Sequence, residues 1–315
     1  MAERARQLAP PRPASGGARH GIEWPTLALI GFCYALWAVS TTWLAAQALP
    51  LAICGVAVTG ALHSSLSHEA LHGHPFALRW LNAALVFPAL SLVVPYLRFE
   101  ATHLAHHRDE VITDPYDDPE SNFTDPRVWN GLAPWQQAVL RFNNRLAGRI
   151  LIGPTLGMLG FAGREICRAR AGDPAVLRGW LGHLPALGVV IVWQASLSQM
   201  PLWAFLTGSY AGLSILKIRT FLEHQAHDRA SGRTVIIEDR GPLAWLFLNN
   251  NLHVVHHMHP RRPWYQLPAL YRARKAHYLR RNGGYFYRSY AEVFRRYFRR
   301  AKDPVPHPIW CPPTD

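Results

Sequence analysis

The chain has 315 residues, 49% hydrophobic and 17% charged, with 17 histidines and a net charge of +13. That apolar content excludes a wholly disordered chain. Cys33, Cys54, Cys167 and Cys311 are scattered with no C-x-x-C pair, which excludes a disulfide scaffold, a zinc ribbon and a cysteine-ligated iron–sulfur cluster.

Residues 1–23 are rich in Pro, Ala, Gly and Arg and are expected to form a disordered basic tail. Glu3 and the prolines before any apolar run do not make a signal peptide. From Trp24 to His68 there is no Asp, Glu, Lys or Arg in 45 residues. A spanning helix needs about 20 apolar residues, so this gap predicts spans at about 26–46 and 49–67, turning around Gln47–Pro50. A second gap, Gly179–Leu216, is 38 residues long. It predicts spans at about 179–197 and 201–218, turning around Ser198–Pro201. Buried soluble helices are the competing reading, but such helices normally carry a polar stripe.

Two shorter apolar stretches carry prolines: Trp80–Leu97 with Pro88 and Pro95, and Ile150–Gly163 with Pro154. Both are expected to be interfacial or re-entrant. The hairpin turns are uncharged, and the remaining segments hold all the Lys and Arg. The tail from Arg261 to Lys302 has 13 basic residues and one acid, Glu292. The positive-inside rule places these segments and both termini in the cytoplasm. Within the basic amphipathic region 261–302, Tyr290, Val293, Phe294, Tyr297 and Phe298 fall at helical spacing with arginines between them. That pattern predicts a helix lying on an anionic membrane surface. No DNA- or RNA-binding motif accompanies the charge, so a nucleic-acid partner is not expected.

The histidines fall in boxes. His68-Glu69-Ala70-Leu71-His72 (68–72) closes the second predicted span. His103-Leu104-Ala105-His106-His107 (103–107) and His253-Val254-Val255-His256-His257 (253–257) share the spacing H-x-x-H-H. Positions i, i+3 and i+4 of a helix project from one side, so each box can offer two or three imidazoles to one metal centre. Glu223-His224 and His227 follow the fourth predicted span. The first box alone matches the zinc-protease pattern H-E-x-x-H, which leaves the other two boxes unexplained. Eight or nine imidazoles are too many for one ion and suit two, and imidazole suits iron, zinc, copper or nickel.

Boxes of this spacing and order, on segments beside membrane spans, resemble the membrane fatty acid desaturase family of histidine-box di-iron enzymes. The resemblance runs from about Trp24 to about Tyr290. It implies an all-α integral membrane protein, one domain over 24–315, with four transmembrane helices in two hairpins and a cytosolic helical cap that holds a di-metal site. All boxes must meet on one side, so neither short apolar stretch makes a net crossing. By the family pattern His68, His72, His103, His106, His107, His253, His256 and His257 are ligands, and His224 is the further one, with His227 as its competitor. His74, Glu69, Glu223, Asn250 and Asn251 are candidates for a supporting role or an extra ligand.

Glu69, Glu100, Asp109, Glu223 and Asp228 stand where a carboxylate can accept the other N–H of a ligating imidazole. The resemblance also implies an asparagine that holds a metal-bound water, which any residue of Asn249-Asn250-Asn251 could be. His63 is expected in a helix–helix hydrogen bond, His183 packed in the bundle, and His20, His277 and His307 on the surface.

The resemblance further implies two Fe2+ ions and O2 as co-substrate, acting on an unactivated C–H bond of a fatty acyl chain. The product is a double bond. The alternative is hydroxylation or ketolation of another lipid, such as a carotenoid. The H-x-x-x-H of box one differs from the H-x-x-x-x-H of animal acyl-CoA desaturases, which argues against an acyl-CoA substrate. The chain lacks a ferredoxin-type cysteine set and a dinucleotide fingerprint. A ferredoxin- or cytochrome-type donor is therefore expected as partner, steered by the cationic surface. The expected location is a bacterial inner membrane with the metal site cytoplasmic. A non-enzymatic metal transporter would place ionisable groups at mid-membrane, and the span interiors are nearly free of them.

Overall fold

The computed structural model describes residues 21–108 and 110–311. The basic tail up to residue 20, with His20, and Asp109 lie outside the described residues. The chain is mostly helical. α1 (Trp24–Thr41), α2 (Trp43–Gln47) and α3 (Leu49–Leu71) occupy the first charge gap. α4 (Arg79–Leu85) and α5 (Tyr96–His106) follow. α6 (Pro126–Gly131), α7 (Pro134–Asn143), α8 (Leu146–Leu151) and α9 (Gly153–Arg170) lead to α10 (Pro174–Ser196) and α11 (Leu202–Thr220). The remainder is β1 (Ile236–Ile237), α12 (Pro242–Leu246), α13 (His253–Met258), α14 (Leu267–Ala273), α15 (Lys275–Arg281), β2 (Phe286–Tyr287) and α16 (Tyr290–Tyr297).

Three helical stretches are long and apolar enough to cross a membrane: Trp24–Gln47, Leu49–Leu71 and Pro174–Ser196. The fourth predicted span, 201–218, coincides with α11, which is 19 residues long and carries Lys217 and Arg219 in its last turn. Large apolar side chains such as Phe32, Leu51, Leu184, Val192 and Trp203 point outward from these helices. An apolar exterior of this kind needs a partner other than water.

The helices pack through small residues. A Cβ on Gly208 would lie 2.8 Å from Val56 Cβ, and one on Gly212 would lie 2.9 Å from the Ala57 carbonyl oxygen. This G-x-x-x-G pair lets the α11 and α3 backbones approach closely. The two hairpin turns meet at one end of the bundle: Gln199 N–H and Ser198 Oγ both donate to the Thr41 carbonyl at 2.9 Å. His72 and His224 lie at the ends of α3 and α11 away from those turns. His63 meets the Tyr34 hydroxyl at 3.2 Å, and His183 Nε2 donates to the Leu92 carbonyl at 3.1 Å.

The short apolar stretches form no spanning helix of their own. Trp80–Leu97 is α4, a turn with Leu92 at φ 65°, and the start of α5 behind Pro95. Ile150–Gly163 is split at Ile152, and α9 restarts at Gly153-Pro154, where a missing N–H costs nothing. α5 is tied to the bundle by a buried bidentate pair. Arg98 Nε and Nη2 donate to Glu165 at 2.7 and 2.9 Å, and Trp180 Nε1 donates to the same carboxylate at 3.1 Å.

The apolar face of the C-terminal helix turns inward. Tyr290 and Val293 are buried in a cluster with Leu146, Ile218, Leu222, Ile237 and Phe247, and Phe294 and Tyr297 pack against it. The stripe that predicted a helix resting on lipid is used by the protein's own core; of its five apolar residues only Phe298 is largely exposed.

Candidate metal centre

Nine of the seventeen histidines converge at the end of the bundle away from the hairpin turns. Their potential ligand atoms form two groups, each lying within 4.8 Å of one another: His68, His72, His103, His107 and His256, and His106, His224, His253 and His257. Local geometry brings eight of them there box by box. His68 and His72 are one turn apart at the end of α3, and α5 presents His103, His106 and His107 on adjacent faces. α13 presents His253, His256 and His257. The turn before it needs two consecutive residues at positive φ, Leu248 at 52° and Asn249 at 58°. Asn tolerates that region and Leu does not, so Leu248 stores strain of about 1–3 kcal/mol beside the site. Val254 N–H donates to the Val235 carbonyl and Ile237 N–H to the Asn251 carbonyl, fixing α13 against the segment after His224.

The two groups share a wall, with the His107 and His257 rings stacked at 4.3 Å. Within the groups the Nε2 atoms face one another. His106 and His253 Nε2 lie 2.8 and 3.1 Å from His224 Nε2, and His103 and His256 Nε2 lie 2.9 and 3.0 Å from His107 Nε2. Two nitrogens bound at about 2.1 Å to one ion, 90–110° apart, are separated by roughly 3.0–3.4 Å, so the spacing suits a shared cation.

The tautomers argue the same way. His106 Nδ1 is 2.8 Å from Asp118 Oδ1 and His103 Nδ1 is 2.9 Å from Glu120 Oε1. Asn250 Nδ2 donates to Glu223 Oε1 at 2.9 Å, which leaves Asn250 Oδ1 to accept from His253 Nδ1 at 3.1 Å. Each of these Nδ1 atoms therefore carries a proton, which leaves Nε2 as the atom each ring can offer to a metal ion. The Nε2 atoms of His106 and His253 both point at His224 Nε2. His68 Nε2 and His72 Nε2 are buried with no hydrogen-bond partner. A metal ion in each group satisfies all of these atoms at once.

The electrostatics favour cations. Burial first, then neighbouring imidazoles and cations, holds His107, His224, His253 and His256 well below the ordinary imidazole value. These side chains are neutral, as metal ligands must be. For His106 burial works downward, but Glu120, Asp118 and Glu223 outweigh it and push the group up to about 9. Burial alone would raise Glu120; His103, His106 and Arg219 hold it below the usual carboxylate range. Burial is also the main cause that raises Glu223, against the attraction of Arg219.

The other predicted residues divide. Glu69 accepts the Trp264 N–H at 3.0 Å and stands 3.9 Å from His68 Nδ1. Glu223 is 3.9 Å from His253 Nδ1 and reaches it through Asn250. Asn251 is turned away, its Nδ2 donating to the Ile237 and Asp239 carbonyls, and Asn249 donates to the Trp264 carbonyl. His227 lies in neither group and accepts the Arg229 N–H at 3.0 Å. His74 faces Glu23 at 2.7 Å.

Three expectations are corrected. Glu100 pairs with Arg79 at 2.6 Å rather than with an imidazole, and Asp228 is exposed. His307, expected at the surface, is buried at 5% exposure. Asp118 and Glu120, which do orient imidazoles, were not among the predicted acids. They belong to Asp114-Pro115-Tyr116-Asp117-Asp118-Pro119-Glu120, which has four acids in seven residues just after box two. That density was the available signal.

A family model described as fatty acid desaturase matches residues 41–289. No curated protein matches the chain.

Proposed function

Because the chain belongs to the fatty acid desaturase family, we propose that it is an integral-membrane, O2-dependent di-iron oxidoreductase that introduces a double bond into a fatty acyl chain. One observation carries the reading: nine buried or half-buried imidazoles gathered as five and four, with carboxylates or an amide behind His103, His106 and His253. His68, His72, His103, His107 and His256 would hold one ion, and His106, His224, His253 and His257 the other. Removing hydrogen from an unactivated C–H bond at neutral pH is beyond any acid–base pair, and iron supplies the redox chemistry when bound. The chain's own part is to orient the rings of His106, His103 and His253, through Asp118, Glu120 and Asn250, and to keep the centre away from bulk water.

To the three span-like helices the proposal adds α11 as a fourth span. α11, at about 1.5 Å per residue, is roughly 28 Å long, close to the ~30 Å apolar thickness of a bilayer. Lys217 and Arg219 then lie at the same side as the imidazoles, with the basic segments, which is the cytoplasmic side by the positive-inside rule. Forming the double bond reduces O2 to two waters and consumes two electrons and two protons from outside. We assign their supply to an external ferredoxin- or cytochrome-type donor, attracted by the net charge of +13.

The test is mass spectrometry of total lipids from cells expressing the protein, against a His256→Ala/His257→Ala control. Acyl chains lacking two hydrogens, formed only with the intact chain, are the expected result. A gain of one oxygen would replace desaturation by hydroxylation. Lipids identical in the two samples, with a donor system co-expressed, would overturn the proposed reaction.

A further inference from the structure

The C-terminal segment 301–310 is anchored at two places, one on His224 and one on the loop that carries Asp118. At one end the Lys302 ammonium donates to the His224 carbonyl. At the other, the segment pairs with the acidic loop after box two. Thr124 N–H donates to the Val305 carbonyl at 3.0 Å, His307 N–H donates to the Thr124 carbonyl at 2.9 Å, and Trp310 Nε1 donates to Asp114 at 3.0 Å.

His307 occupies the middle of this strap. Its Nδ1 accepts the Ile309 N–H at 3.3 Å, so its proton sits on Nε2, which meets Thr113 Oγ1 at 3.2 Å. Thr113 has φ 74°, a region that a β-branched residue adopts only when its surroundings enforce it. That twist aims the Thr113 N–H at Asp118 Oδ2, at 2.9 Å, while Asp118 Oδ1 faces His106 Nδ1 at 2.8 Å. An unbroken line of hydrogen bonds thus runs from His307 through Thr113 and Asp118 to His106, and each link is buried.

We propose that His307 is a positioning residue of the metal centre: it holds Thr113 in its strained turn, and thereby sets Asp118 against His106 in the four-imidazole group. The proposal rests on the reading of that group as a metal site. It separates the roles of two regions of the chain, since the family match ends at residue 289 and the strap lies wholly beyond it.

The test is chelator competition and visible absorption with Co2+ on the detergent-purified full chain. The wild-type chain is expected to bind two Co2+. In His307→Ala, one of the two should bind about 10–100-fold more weakly, the scale found when the partner of a ligating histidine is lost, and its absorption band should shift. Thr113→Val, which removes only the hydroxyl, should do the same, and it carries the test if His307→Ala does not purify as a monodisperse protein. His307→Gln, which keeps an N–H where Nε2 stood, should restore most of the affinity. His307→Ala placed on Asp118→Asn should weaken binding no further, because both act on one line. Two wild-type affinities and an unchanged spectrum in His307→Ala or Thr113→Val would overturn the proposal and leave the metal reading intact. A wild-type chain that binds no Co2+ would overturn both.

Discussion

Replacing Asp118 by Asn separates a carboxylate that orients His106 from one that merely lies near it. Asp118 Oδ1 accepts from His106 Nδ1 at 2.8 Å and from the Glu120 N–H at 2.9 Å, while Oδ2 accepts the Thr113 N–H at 2.9 Å. All three partners are donors, and the side chain is 1% exposed. Asn offers one accepting oxygen, so either orientation turns its NH2 against an N–H. A hydrogen bond to a charged group contributes about 1.5–3 kcal/mol, which at about 1.4 kcal/mol per decade is roughly a 10–150-fold loss. Asp118→Asn should therefore weaken one of two bound ions on that scale, measured by chelator competition on the purified chain. Glu100→Gln, which alters an exposed pair with Arg79, should change nothing. Unchanged affinity in Asp118→Asn, or an equal loss in Glu100→Gln, would refute the reasoning.

Two further outcomes follow from the same structure. Glu165→Leu leaves the Arg98 guanidinium unpaired at 1% exposure and should cost about 3–5 kcal/mol of stability, whereas Arg98→Met/Glu165→Leu should cost clearly less; denaturant unfolding of the three proteins decides, and equal losses would remove the argument. The metal-stripped chain should lose stability as pH falls through about 6.5. His107, His224, His253 and His256 have folded values below their ordinary 6.5, so the unfolded state binds more protons there, with a slope of up to about 1.4 kcal/mol per pH unit for each group. His106, pushed up to about 9, works the other way only between about 6.5 and 9, since below 6.5 it is protonated in both states. A denaturation midpoint that stays flat between pH 7.5 and 5 would contradict this.

Much of the candidate centre was legible because helical spacing is a local property. The intervals His68 to His72, His103 to His107 and His253 to His257 span one turn each, so the side chains of each box must share a side whatever the fold does around them. The charge gaps were legible for a similar reason: a long stretch with no ionisable residue is a statement about solvent, made residue by residue. Both readings survive without knowing which helix neighbours which. The amphipathic stripe of α16 shows the limit. Spacing marked an apolar face correctly and could not say whether lipid or protein would cover it; Ile218, Leu222 and Phe247 cover it.

What only the tertiary structure decided are the pairings between segments far apart in the chain. The imidazoles divide as five and four, and each group draws on three different segments, so no single box defines an ion's surroundings. The acids that orient imidazoles are Asp118 and Glu120, 12 and 17 residues from their partners, while Glu100, three residues from His103, faces Arg79. His307 looked like one more polar residue in a basic tail, and its contact with Thr113 spans 194 residues. The physical reason is common to all of these cases. Backbone geometry sets which side chains within a turn point together, but a hydrogen bond between distant segments exists only where packing has brought a donor and an acceptor within about 3 Å.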